Sequence, residues 1–271
     1  MSFSHVTRHE VPEGMPRPTD LAVLRDRIRQ IERPARHGVL PFGVAAIDRA
    51  LPGGGLALGA VHEILGQGGD EEDGAAACGF IAGLLARFRP GPVLWCLKRP
   101  DLYGPGLLAH GLDPARLVVL AAPRDEDILW AVEEGLCAPG LVAVVGEIGR
   151  LSLVAGRRLQ LAAEHSGVTA FLLRRWRNSE EAARERERPS AAVTRWRIAA
   201  IPARDIDDPR LRHLIGTPRW WVELLRCRGG VPAKWEVEVA DATGHVRLSP
   251  ELADRPAAAQ RLVAEPRLRF G

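Results

Sequence analysis

Residues 40–90 read LPFGVAAIDRALPGGGLALGAVHEILGQGGDEEDGAAACGFIAGLLARFRP, and this stretch decides the fold class of the whole chain. Residues 61–65, VHEIL, predict a buried strand, and residues 75–88 predict a helix with one apolar face. A glycine-rich loop over residues 66–74 separates the two elements. Nucleotide-binding α/β proteins hold phosphate at such a loop, because free backbone N–H groups and the helix dipole point at it.

The chemistry of this loop differs from that of a working phosphate loop. A working loop needs a Lys for charge, followed by a Ser or Thr whose hydroxyl binds magnesium. Neither is present here, and the loop consists of Gly66, Gln67, Gly68, Gly69, Asp70, Glu71, Glu72, Asp73 and Gly74. A carboxylate and a phosphate about 4 Å apart repel by roughly 1 kcal/mol even in water, so we expect no bound nucleotide, no other cofactor, no metal and no ATPase activity. Near a helix N-terminus these carboxylates are instead stabilised by the dipole, so they are predicted to replace the phosphate.

The residues that precede the loop resemble the beginning of a RecA-type core. The resemblance rests on PFGVAAID at residues 41–48, LPGGGL at 51–56 and GAVHEI at 59–64. Residues 50–64 as a whole are most similar to the ImuA family, RecA-like proteins of bacterial damage-inducible mutagenesis operons that commonly lack a working Walker A motif. The resemblance implies an α/β fold with a RecA-like three-layer core, in which a mostly parallel sheet ends in an antiparallel C-terminal hairpin edge.

The order of the remaining elements supports one such core. Strands and helices alternate as in right-handed βαβ units up to about residue 173, after which alternating apolar and polar residues predict antiparallel strands. We expect strands at residues 92–97, 117–121, 141–145, 168–173, 193–199, 220–226 and 235–239, and helices at 125–136 and 151–165. The predicted organisation is an N-terminal arm and helix (1–39), the core (40–248) and a C-terminal tail (249–271).

Composition excludes several classes of protein. The net charge of +3 requires no nucleic-acid partner, and Cys78, Cys96, Cys137 and Cys227 lack the spacing of a zinc or redox motif. No signal peptide and no uncharged apolar run long enough to cross a bilayer is evident, so we expect a cytoplasmic protein without a membrane partner.

Two strand ends bear on catalysis. In RecA-like ATPases the strand at 92–97 is followed by a carboxylate that activates water, whereas Lys98 and Arg99 follow it here. The strand at 141–145 lies where a Walker B strand would end in a magnesium-binding acid, and its end carries Glu147. Glu147 is either a displaced version of that acid or an ordinary carboxylate that is solvated or caps the next helix, and the sequence leaves these interpretations open.

Two segments are candidate binding sites. In RecA the loop after the strand at 168–173 contacts DNA, so Arg174, Arg175, Trp176 and Arg177 are candidate DNA-binding residues, through phosphate contacts and a stacking indole. The alternative for residues 174–190 is a self-neutralising surface loop. In the tail, apolar side chains beside arginines form a candidate partner-docking segment, and the alternative is a frayed terminus. Its candidate partner-binding residues are Leu262, Leu268 and Phe270.

The resemblance therefore implies a non-catalytic adaptor in SOS-induced, error-prone translesion DNA synthesis. Its implied partners are an ImuB-like inactive Y-family polymerase homologue and an error-prone DNA polymerase α subunit, with RecA or single-stranded DNA as further candidates. Two alternatives stay open: a cell-division inhibitor of the SulA type, which would bind FtsZ, and a RecA-like ATPase with a degenerate phosphate loop.

Overall fold

The computed structural model describes residues 36–68, 70–176, 179–202, 218–239 and 243–249, without the side chains of residues 70–72, 179 and 186. Most of the predicted N-terminal arm and helix, and the predicted tail beyond residue 249, lie outside these residues. The strands are β1 Val39–Leu40, β2 Leu56–Ala57, β3 Val61–Gly66, β4 Val93–Leu97, β5 Leu117–Ala121, β6 Ala143–Ile148, β7 Thr169–Arg174, β8 Thr194–Ile201, β9 Arg219–Cys227, β10 Ala233–Val239 and β11 Val246–Leu248. The helices are α1 Ala45–Asp48, α2 Asp70–Ala86, α3 Gly104–Ala109, α4 Asp125–Cys137, α5 Leu153–Ser166 and α6 Ser179–Arg186.

One mixed sheet organises the described part of the chain. Its nine strands follow the order β11-β10-β9-β8-β3-β7-β6-β4-β5, and β1 pairs with β2 separately. The six strands from β8 to β5 are parallel to their neighbours, whereas β8 to β11 pair in antiparallel fashion. The predicted fold class, a mostly parallel sheet with an antiparallel C-terminal edge, is confirmed.

Helices cover both faces of the parallel strands because successive strand residues point to opposite sides. In β4, Val93, Trp95 and Leu97 join the apolar cluster that contains α2, whereas Cys96 joins the cluster that contains α4 and α5. The result is three layers, helix, sheet and helix. β3 lies in the middle of the sheet, so the loop that follows it is placed between the layers.

Two helices differ from the sequence prediction by more than a few residues at a boundary. Helix α2 begins at Asp70, five positions before the predicted start, because the acidic residues form its first turn although they lack an apolar period. Residues 179–186, predicted to lie in an irregular loop, form α6, in which Ala182 and Glu185 are buried. Among the described residues, no helix is both long and apolar enough to span a bilayer.

Candidate functional site

The glycine-rich loop between β3 and α2 is the candidate site, and a carboxylate of the chain itself accepts a hydrogen bond from one of its backbone N–H groups. Asp73 lies in the first turn of α2 and is 6% exposed. Its Oδ2 accepts a hydrogen bond from the Gly68 N–H at 2.7 Å, and its Oδ1 accepts one from the Ala200 N–H at 2.9 Å. The Gln67 N–H donates to the Ile198 carbonyl at 3.0 Å. Two loop N–H groups that could have faced a phosphate are therefore already bonded.

The spacing of the phosphate-loop motif shows which residues stand where the motif has its Lys and its Ser or Thr. If Gly66 is taken as the first glycine of G-x-x-x-x-G-K-S/T, Glu72 stands at the Lys position and Asp73 at the hydroxyl position. An anion thus replaces the cation that would neutralise phosphate, and a second anion replaces the group that would bind magnesium. Asp73 also packs closely against the loop, since a Cβ added to Gly66 would lie 3.0 Å from the Cβ of Asp73.

An indole covers the rest of the cleft. Trp176 is 3% exposed, packs with Leu65 and Ala182, and donates its ring N–H to the Gly149 carbonyl at 3.0 Å. The cavity left between Trp176 and the glycines of the loop measures about 10 Å³. This is close to the space that one water molecule needs, so the cleft has no room for a nucleotide in this conformation.

Buried ion pairs around Glu63 lie beside the Trp176 indole. Glu63, in β3, is fully buried and accepts hydrogen bonds from Arg195 at 2.9 Å and 3.1 Å, from Arg174 at 3.3 Å and from the Ser190 hydroxyl. Arg174 also pairs with Glu185 of α6 at 3.0 Å. Burial lowers the pKa of Arg174, and the two carboxylates oppose that shift. The network connects β3, β7, β8 and α6 beside the loop.

Arg174 retains one unused donor. Its Nε is buried and has no hydrogen-bond partner among the described residues. Arg174 also lines the small cavity beside Gly66 and Gly68. A single water molecule there would satisfy this N–H group.

Glu147, the acid at the end of β6, is engaged by donors on both oxygens. It accepts hydrogen bonds from the Trp95 ring N–H at 2.9 Å and from Arg175 at 2.6 Å, and Arg175 also pairs with Asp101 at 2.7 Å. Burial raises the pKa of Glu147, whereas the hydrogen bond from Arg175 lowers the pKa of Asp101. No group of three or more His, Cys, Asp or Glu residues suited to a metal occurs in the described ranges. In this geometry Glu147 serves as an ion-pair partner of Arg175.

The end of β4 also carries a charged residue in an ion pair. Lys98, which follows β4, forms an ion pair with Asp125 at 2.9 Å. Asp125 also accepts hydrogen bonds from the N–H groups of Gly149 and Arg150, both at 3.1 Å. Asp125 thus connects the carboxyl ends of β4 and β6, through an ion pair with Lys98 and hydrogen bonds from two backbone N–H groups.

Comparison with known proteins identifies the family. No family model matches the chain. Protein ImuA from Caulobacter vibrioides, strain NA1000, is 40% identical over 245 residues, which cover 86% of this chain and 96% of the relative. Protein ImuA from the strain ATCC 19089 gives the same values. This chain belongs to the ImuA family.

In this ImuA-family member the predicted DNA-contacting cluster has mainly internal contacts. Arg174 and Trp176 are each 3% exposed, so neither offers surface to a phosphate or a base as placed here. The Arg175 side chain is 15% exposed and carries the ion pairs with Glu147 and Asp101. Arg177 lies outside the described residues, and so do the predicted partner-binding residues Leu262, Leu268 and Phe270.

Sequence reasoning missed the network that surrounds Glu63. One signal for it was present, because a Glu inside the apolar strand VHEIL must find a partner when it is buried. The identity of that partner had no local signal, since Arg174 and Arg195 lie 111 and 132 positions further along the chain.

Proposed function

We propose that this protein is a non-catalytic adaptor in damage-induced, error-prone translesion DNA synthesis. Membership of the ImuA family, a family of damage-inducible mutagenesis operons, supports the general role. The adaptor role rests on the loop after β3. A protein that keeps the shape of a nucleotide-binding core without nucleotide chemistry retains its surfaces for binding other proteins.

The hydrogen bonds of Asp73 are the observation that supports this proposal most strongly. A triphosphate at the loop would have to displace the Asp73 carboxylate from the N–H groups of Gly68 and Ala200. It would also have to displace the Trp176 indole and approach the acidic residues at 70–72 without a nearby Lys. Each displacement leaves buried polar groups unpaired, at a cost of about 1–3 kcal/mol apiece.

The first test is nucleotide binding by the purified full chain. We expect no change in the melting temperature when ATP and magnesium are added in excess, and no heat of binding in titration calorimetry. A ligand at 100 times its Kd stabilises a protein by about 2.7 kcal/mol, so true binding would raise the melting temperature by several degrees. Such a rise, or measurable ATP hydrolysis, would contradict the proposal.

Substitution of Asp73 separates a structural from an inhibitory role. Asp73→Ala should lower the free energy of unfolding by about 1–3 kcal/mol, because two partly buried N–H groups lose their acceptor. It should create no ATPase activity, since no Lys or hydroxyl is gained. Asp113→Ala is the matched control, because exposed Asp113 also accepts a backbone N–H, from Ala115 at 2.9 Å, and we expect a smaller loss there.

The second test concerns partners. A tagged full chain, isolated from cells after DNA damage, should retain an ImuB-like inactive Y-family polymerase homologue and an error-prone polymerase α subunit. RecA and single-stranded DNA are examined in the same preparation, with and without nuclease. Retention of FtsZ in place of the polymerase-like proteins would refute the adaptor role and favour a cell-division inhibitor.

A further inference from the structure

Three large apolar side chains are exposed among charged residues on the outer surface of α4 and α5. The two helices pack side by side and bury their inner faces in one cluster against the sheet. At the outermost positions α4 places Trp130, which is 63% exposed, and α5 places Val154 and Leu161, which are 69% and 65% exposed. A surface helix ordinarily carries charged or polar residues opposite its buried face. We call the surface formed by these three residues the α4–α5 face.

One ion pair shows which positions of the two helices lie side by side. Arg158 of α5 donates to Glu133 of α4 at 2.7 Å. Each helix connects two parallel strands of the same sheet, so the two helices run in the same direction. Counting from the ion pair, Trp130 is level with Val154 within one residue, or about 1.5 Å along the axis. Trp130 and Val154 are therefore neighbours across the two helices, and Leu161 lies about two turns beyond Val154 on α5.

Charges of opposite sign flank this apolar centre. Glu134 is exposed on α4 and Arg157 is exposed on α5, and neither forms an ion pair with any residue that the structure describes. With about 100° of rotation per residue, Glu134 lies on the side of α4 that faces away from α5, and Arg157 on the side of α5 that faces away from α4. The α4–α5 face thus has an acid at one margin, a base at the other, and the three apolar side chains beside the Glu133–Arg158 ion pair in the middle.

We propose that the α4–α5 face binds a second copy of this chain. A two-fold axis parallel to the helices places α4 of one protomer against α5 of the other, because such an axis exchanges left and right across the interface. Trp130 then packs on Val154 of the partner subunit, and Glu134 faces Arg157 of the partner subunit. A two-fold axis perpendicular to the helices would place equal charges opposite each other. Of these two arrangements, only the first is complementary in charge.

The size of the face sets the strength of the dimer. Helix α5 has 14 residues and is about 21 Å long, and packed helices lie about 10 Å apart. An interface of two such helices per protomer falls at the low end of specific interfaces, below about 1,200 Å² in total. We therefore expect a dimer that forms reversibly as the concentration rises, with a dissociation constant in the micromolar range.

The first experiment measures self-association of the full chain by sedimentation velocity, from about 1 to about 200 μM. The wild type should shift from monomer to dimer. Trp130→Glu should raise the dissociation constant at least about tenfold, because it places a charge at the apolar centre. Leu108→Glu is the matched control, since Leu108 is 55% exposed on α3, on the opposite face of the sheet, and it should leave the constant unchanged. Circular dichroism and melting temperatures establish that each variant is folded.

The second experiment exchanges the charges. Glu134→Arg and Arg157→Glu should each weaken the dimer several-fold, because each creates a like-charge pair across the interface. The double variant should regain most of the wild-type affinity. A wild type that stays monomeric up to about 200 μM, a dimer insensitive to Trp130→Glu, or a double variant no better than the singles would each overturn the proposal.

Discussion

Two regions of this protein use the same kinds of residue in opposite ways. At the loop after β3, Trp176 is 3% exposed and its ring N–H is bonded, and Glu63 is fully buried between two arginines. On the α4–α5 face, Trp130 is 63% exposed, and the Glu133–Arg158 pair lies in solvent. The first region pairs its buried polar groups within the chain, apart from the Arg174 Nε, and is closed to solvent. The second region leaves large apolar side chains exposed to solvent, as surfaces that bind another protein often do.

The largest expected effect tests the closed region. Glu63→Ala should lower the free energy of unfolding by about 3–5 kcal/mol, because the buried guanidinium groups of Arg174 and Arg195 would both lose the carboxylate that they share. Urea denaturation, followed by circular dichroism, measures the loss. The control is Glu133→Gln, which breaks an ion pair on the open region and should give no measurable change. Equal losses in the two variants would remove the contrast between the regions.

A somewhat smaller effect is the change of folding stability with pH that His62, a second buried residue of β3, should cause. Burial lowers the pKa of His62 to about 4, although its hydrogen bond to the Ala57 carbonyl acts in the opposite direction. Below about pH 6.5 the unfolded chain binds a proton at this residue, whereas the folded protein does not until about pH 4. The folded state should therefore lose about 3 kcal/mol of stability as the pH falls from 6.5 to 4.

Chemical denaturation at several pH values, with variants, checks this dependence. His62→Gln removes the titrating group and should make the free energy of unfolding fall less steeply between pH 6.5 and pH 4. His165→Gln is the control, because it makes the same change at an exposed histidine. A slope that is the same in wild type and His62→Gln would show that another group causes the acid sensitivity.

The smallest expected effect concerns Trp130, on the exposed α4–α5 face. Trp130→Ala should change the stability of the monomer by no more than about 0.5 kcal/mol at low protein concentration, because little of the indole packs within its own chain. Leu159→Ala, on α5 but 2% exposed, should cost about 2–5 kcal/mol in the same measurement. A large loss for Trp130→Ala would mean that the indole is needed inside the protomer.

The elements with a clear apolar period were predictable from the sequence. The predicted strand at 117–121 matches β5, and the predicted strand at 61–65 matches β3 to within one residue. The start of α2 was missed because its first turn is acidic and carries no period. Helix α6 was missed because its inward residues are Ala182 and Glu185, of which the second is a charged residue that pairs with the distant Arg174.

The amino-acid sequence by itself determined the fold class, the family and the loss of the phosphate-binding Lys and hydroxyl, because these depend on local patterns and residue types. Only the tertiary structure decided which charges are buried and which apolar residues remain outside. Arg174 and Trp176 look like surface residues in their local sequence, yet they are held under α6 by partners such as Glu63 and Gly149. Trp130 lies in an ordinary amphipathic helix, yet the packing of α4 against α5 leaves it exposed. In both cases the reason is the same, since the environment of a side chain depends on contacts between residues far apart in the chain.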